Sequence, residues 1–135
     1  MRLYMKVSLC FLFFFLIILP QKNFAQDNSN PDVPYEMKTY YMAFLKKGPN
    51  RNQDSTETQQ IQKAHLQHIN KMVEDKKVII AGPFLDDGDI RGILIFNVET
   101  IEEAIALTEA DPAVKAGRLI MEVRPWWGAK GSCLE

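Results

Sequence analysis

His65 is the residue of this chain best suited to chemistry, because imidazole is the side chain that takes and returns protons near neutrality. It lies in Ser55 to Asp75, STETQQIQKAHLQHINKMVED, which reads as one amphipathic helix. At about 100° per residue from Ile61, Met72 falls at about 20°, His65 at about 40° and Ile69 at about 80°. The ring is therefore aimed at the core or at a cavity in it. Two readings stay open: a core histidine satisfied by neighbours, or a general acid–base. His68, at about −20°, flanks the same arc. The i, i+3 pair invites a metal, but no third ligand shares its placement, so no metal is assigned.

Asp111 precedes Pro112 and reads as the N-cap of a short turn, PAVKA. One carboxylate oxygen can cap while the other orients an imidazole and fixes its tautomer. Arg91 is either a solvated edge residue or an anion clamp for a substrate carboxylate. Pro83 can wall a pocket and Phe84 can offer a stacking surface, with ordinary turn chemistry as the alternative. Tyr41 joins them as a candidate substrate contact or as a core or interface aromatic, and Trp126 is read as such an aromatic. Asp86, Asp87 and Asp89 are turn residues, since the long calcium loop with its closing Glu is absent. No phosphate-cradling glycine loop is present, and nothing calls for a redox cofactor.

The elements that must position these residues follow in order. MKTYYMAFL at 37–45 is strand one, apolar on both faces, and KKGPNRNQD at 46–54 is a loop. The long helix comes next, with Ser55 or Thr56 as its cap and Thr56 with Gln59 as a capping box. KVIIAGPFL at 77–85 is strand two, whose pairing should end or bulge at Pro83. The acidic turn Asp86–Asp89 joins it in a hairpin to strand three, IRGILIFNV at 90–98. Thr100 and Glu103 form the capping box of a second helix, whose inner face is Ile101, Ala104, Ile105 and Leu107 or Thr108. Gly117 stops the PAVKA turn, and RLIMEVRPWW at 118–127 is strand four. The order β-α-β-β-α-β predicts an α+β, ferredoxin-like fold: a four-stranded antiparallel sheet with both helices on one face. Apolar residues on the other face of strands one, two and four predict a partner, best a second copy packed sheet to sheet.

The first 25 of the 135 residues resemble a secretory signal: Arg2 and Lys6, then the apolar run Val7–Leu19, Pro20, and a cut after Ala25. The run is shorter than the ~20 residues of a spanning helix. An uncleaved N-terminal anchor is the alternative, and would be the one route to a membrane. Cys10 sits inside the run instead of after it, which weakens a lipoprotein reading. Cleavage would remove Arg2, Lys6 and Lys22 and no acid, leaving 13 basic against 17 acidic residues, a net charge of −4. With no basic patch, nucleic acid is not an expected partner. Residues 26–36 read as a polar spacer, 37–128 as one domain and 129–135 as a tail. Export implies an oxidising compartment, periplasmic or extracellular, yet the exported part would keep one cysteine, Cys133, so its core must hold it.

Several segments together resemble the YciI-like (YCII-related) family: YYMAFLKKGPNR at 40–51, KAHL at 63–66, AGPFLDDG at 81–88, RGILIFNV at 91–98, ADPAVKAG at 110–117 and RPWW at 124–127. The resemblance spans about residues 38–127. It implies a ferredoxin-like fold, a dimer of the α+β barrel type, and a small-molecule enzyme with His65 and Asp111 as its active pair. Two features depart from simple members, the export signal and His68. The expectation is an exported homodimer doing acid–base chemistry of isomerase or lyase type on a small molecule. The alternative is a non-catalytic module that binds a small ligand or serves an oligomeric, structural role.

Overall fold

The computed structural model describes residues 35–132 and Leu134; the expected signal at 1–25, most of the spacer and Cys133 lie outside the described residues. The elements run β1 (Met37–Lys47), α1 (Ser55–Glu74), β2 (Val78–Pro83), β3 (Ile90–Phe96), α2 (Ile101–Glu109), α3 (Pro112–Lys115) and β4 (Leu119–Ala129). All strand pairs are antiparallel, in the order β2-β3-β1-β4. This is the ferredoxin-like α+β fold, with α3 as one extra turn before β4.

Alternation along β1 divides the sheet. Ala43 and Leu45 point to the helices and join Met72, Val78, Leu94, Phe96, Val98 and Ala104 in the core. Tyr40, Met42 and Phe44 point the other way, opposite Trp126, Ile95 and Ile93 of the neighbouring strands. That second face is less uniformly apolar than its sequence suggests. Glu122 and Arg124 of β4 also lie on it, where Glu122 pairs with both Arg124 and Lys46. α2 presents Ala104 and Thr108 inward, whereas Ile105, expected there, is 37% exposed.

The ends of the helices follow their sequence chemistry, with one shift. Asp54, not Ser55 or Thr56, caps α1, its side chain accepting from the Glu57 N–H at 2.8 Å. Thr100 caps α2 through the Glu103 N–H. β2 ends at Pro83, and the connection to β3 is a six-residue loop, 84–89, wider than the tight turn its Asp-Gly pair suggests. β4 continues to Ala129, past the expected end at 127.

Two helices close in the same way. At the end of α1, Lys76 N–H bonds Val73 O and Lys77 N–H bonds Met72 O; at the end of α3, Gly117 N–H bonds Val114 O and Arg118 N–H bonds Ala113 O. Both are Schellman caps, which need a left-handed residue after the C-cap. Gly117 adopts it freely at φ 68°, whereas Lys76 carries its Cβ there at φ 57°. Lys77 in turn donates to Glu103 Oε1 at 2.8 Å, fastening α2 to the start of β2. That hydrogen bond holds the Glu103 carboxyl below its ordinary value and the Lys77 ammonium above its own.

Lys76→Gly relieves the left-handed strain and should stabilise the protein by about 0.5–1 kcal/mol, while Gly117→Ala should cost about 1–2 kcal/mol. Urea midpoints at constant m-value check both. Because the folded Glu103 pKa is depressed, its contribution is present above the unfolded value and fades as pH falls through the folded one. Glu103→Gln should therefore lower stability at neutral pH, and its difference from the parent should shrink on acidification.

Candidate functional site: a histidine–aspartate pair at a cationic cavity

Helix α1 carries His65 inward because the register of Ile61, Ile69 and Met72 sets that face against the sheet. The chain then returns after α2 and turns sharply at Asp111-Pro112, against the middle of α1. Asp111 is fully buried and His65 is 6% exposed. His65 Nδ1 lies 2.7 Å from Asp111 Oδ2, and Asp111 Oδ1 accepts the Ala113 N–H, also at 2.7 Å. One carboxylate thus does both things its residue type allows: it caps α3 and it holds the imidazole.

The protonation pattern follows from donor rules. An ionised carboxylate only accepts, so Nδ1 carries the hydrogen and Nε2 of the neutral ring keeps its lone pair. Among the described residues Nε2 has no hydrogen-bond partner, and no fully buried side-chain nitrogen or oxygen is left without one. Nε2 is therefore not sealed inside the protein. His65 lines a cavity of about 510 Å³ between α1, the β2–β3 hairpin and the start of β4. The arrangement leaves the second ring nitrogen, Nε2, with a lone pair and no hydrogen-bond partner among the described residues.

Pro83 and Arg91 line the same cavity. Arg91 is partly committed, however. Its Nη1 donates to Asp87 Oδ1 at 2.8 Å and reaches the carbonyls of Asp86 and Gly88 at 3.2 and 3.3 Å, stapling the 84–89 loop. Phe84 lies outside this cavity, in a shallower hollow of the hairpin with Leu85 and Ile90. Tyr41 is not in the wall either; its hydroxyl donates to the Glu99 carbonyl at 3.4 Å, near the start of α2. His68 does not join His65. Its Nε2 donates to Leu107 O at 2.9 Å and ties α1 to α2. Among the described residues no three His, Cys, Asp or Glu side chains gather as metal ligands.

Two charged wall residues are absent from the sequence candidates, Arg51 and Arg118. Arg51 lies in the GPNR loop, where only the turn signal was read, and Arg118 directly follows the glycine that stops α3. Each of those local signals concerns backbone shape and carries no hint of where the guanidinium lies.

A family model, the YCII-related domain, matches residues 39–127. Chains of solved structures are also similar, nine in number. One of them is 5-chloro-2-hydroxyhydroquinone dehydrochlorinase (TftG) from Burkholderia phenoliruptrix AC1100, in complex with 2,5-dihydroxybenzoquinone. It is 26% identical over 64% of this chain and 92% of its own, with a TM-score of 0.49. No curated protein matches. With its family model spanning the sheet, all three helices and the His65–Asp111 pair, the chain belongs to the YCII-related domain family.

Proposed function

We propose that this protein is an enzyme that moves a proton on a small organic molecule held in the 510 Å³ cavity. The observation that carries the reading is the 2.7 Å bond from His65 Nδ1 to a buried carboxylate, with the histidine in the wall of the cavity. Nε2 takes a proton from a carbon beside a carbonyl. Asp111 steadies the imidazolium that forms, as a fixed anion in a site of low dielectric. Returning the proton to a different carbon completes an isomerisation. Expelling a leaving group from the neighbouring carbon, with the proton kept on His65 until release, completes an elimination.

One observation favours a non-catalytic reading: the same bond joins α1 to α3, two elements with few other polar ties, so it would serve a purely structural protein too. The two differ in what removal does. Exchange of carbon-bound protons in D2O over a panel of small carbonyl compounds, followed by NMR, reads the chemistry directly. His65→Gln should slow exchange by about 10²–10⁴-fold with a small change in melting temperature, because the Gln side-chain amide can still donate to the buried Asp111 carboxylate. Asp111→Asn, which retains a capping oxygen, should slow it too. Parent-like exchange in His65→Gln, or a collapse of the fold with no exchange in the parent, contradicts the catalytic reading.

The reading extends to assembly and location. The second sheet face, with the Tyr40 and Trp126 rings tilted against each other at 5.9 Å and with Met42, Phe44, Ile93 and Ile95 beside them, is suited to pack against its equivalent in a second copy. Sedimentation should give a dimer, and Phe44→Glu, which sets a charge beside Glu122 in the register, should give monomers that still fold. The polar and apolar pattern of residues 1–25 supports export to the periplasm or beyond. Sequencing of the purified protein from its native host should begin at Gln26, and recovery in the cytosol with Met1 intact would contradict it.

A further inference from the structure

Resting on the reading of this cavity as the ligand site, we infer that its ligand is a small organic carboxylate, held by Arg51 and Arg118 at the rim. The chain as a whole is nearly balanced, with 16 Lys and Arg against 17 Asp and Glu. The cavity is not: its wall contains Arg51, Arg91 and Arg118 and no Asp or Glu. A concave, partly apolar wall focuses the field of such charges on whatever enters. Among the described residues neither Arg51 nor Arg118 pairs with a carboxylate, whereas Arg91 already does, through Asp87.

The backbone brings the two arginines to one edge. Gly48 N–H bonds Arg118 O at 2.8 Å and Asn50 N–H bonds Gly117 O at 3.0 Å. The Asn50 and Gln53 side-chain amides both reach Ala116 O, each at 3.3 Å. A Cβ at Gly48 would overlap the Gly117 carbonyl, so this seam requires glycine there. Arg118 is fixed further: its N–H closes the Schellman cap on Ala113 O, and its Nη1 donates to Gln53 Oε1 at 2.8 Å. The Asp111 turn therefore places both ends of the site. Its first residue holds the imidazole, and the residue after its glycine stop carries a guanidinium to the rim.

The free donors at the rim suit an anionic head group. One nitrogen of Arg118 is occupied by Gln53, leaving its remaining donors and the fork of Arg51, which match the two oxygens of a carboxylate. A phosphoryl group could engage the same guanidinium forks, so the comparison of benzoate with phenyl phosphate decides between the two head groups. The rest of the wall, with Ile61, Ile69, Leu94 and Leu119 around His65, suits a carbon skeleton. A carboxylate anchored at the rim so keeps its apolar body in the part of the cavity that Nε2 shares.

The test is an NMR titration of the full chain with benzoate and sorbate, each paired with its neutral amide, and with phenyl phosphate. At least one carboxylate should shift the Arg51 and Arg118 Nε–H signals and the His65 ring signals saturably, and its amide should not. Arg51→Gln, an exposed side chain whose removal leaves the fold intact, should weaken that carboxylate about tenfold, and Arg118→Gln by a similar factor, as loss of a charge-assisted hydrogen bond implies. Amides that bind as well as their acids, tighter binding of phenyl phosphate, no saturable shift with either acid, or Arg51→Gln and Arg118→Gln both of parental affinity would each overturn the inference. A parent protein that binds benzoate yet exchanges no carbon-bound proton on any carbonyl compound contradicts the catalytic reading alone. Proton exchange with no preference for acids over amides contradicts the carboxylate inference alone.

Discussion

The contact on which the site depends is the one between an imidazole and a carboxylate that water scarcely reaches. Burying Asp111 without partners would cost several kcal/mol. Its two oxygens are instead satisfied from two directions, by the Ala113 N–H and by His65 Nδ1. Both bonds are required together. Without the turn, the carboxylate has no place against α1; without the histidine, one buried oxygen loses its donor. The pair consequently fixes the ring's tautomer, its orientation and the packing of α3 on α1 in one arrangement.

Around that contact the fold does two separate jobs. The sheet supplies a rigid floor, with Leu45 and Leu94 facing the cavity from adjacent strands. The seam between loop 48–53 and turn 116–118 supplies the charged rim. Glycine is the means in both halves of that seam, through the close approach at Gly48 and the left-handed φ of Gly117. The Arg51–Arg118 end of the cavity is thus built from backbone hydrogen bonds, with side chains mounted on them. The His65–Asp111 end is built from side chains locked by burial. A site needing one rigid proton acceptor and an adaptable anchor is well served by that division.

Much of this was legible from residue types. The helical period alone placed His65 among Ile61, Ile69 and Met72, and the Asp-Pro pair alone gave Asp111 as a cap with one oxygen to spare. That the two meet at 2.7 Å needed the coordinates, since no local signal sets the distance between residues 46 positions apart. The strand order was readable because hairpin and capping signals are short-range. Side-chain destinations were harder. Tyr41 alternates toward the helices as its register requires, but the end of β1 where it sits leads to Glu99 and not to the cavity. Phe84 falls just past Pro83, where the chain has already left the sheet. Arg91 was readable as a cation near the site, though not its use in stapling its own loop. Arg51 and Arg118 escaped notice because their place comes from a seam between segments about 65 residues apart, and pattern within a window is blind to that.

The protonation pattern of His65 can be observed without any substrate. In two-bond nitrogen–proton correlation spectra of uniformly 15N-labelled protein above the titration range of the ring, His65 should show the Nδ1–H tautomer, with Nε2 bearing no hydrogen and sensitive to added solutes. An Nε2–H tautomer for His65, or an Nε2 signal indifferent to everything that enters solution, would contradict it and leave the pair as a structural tie.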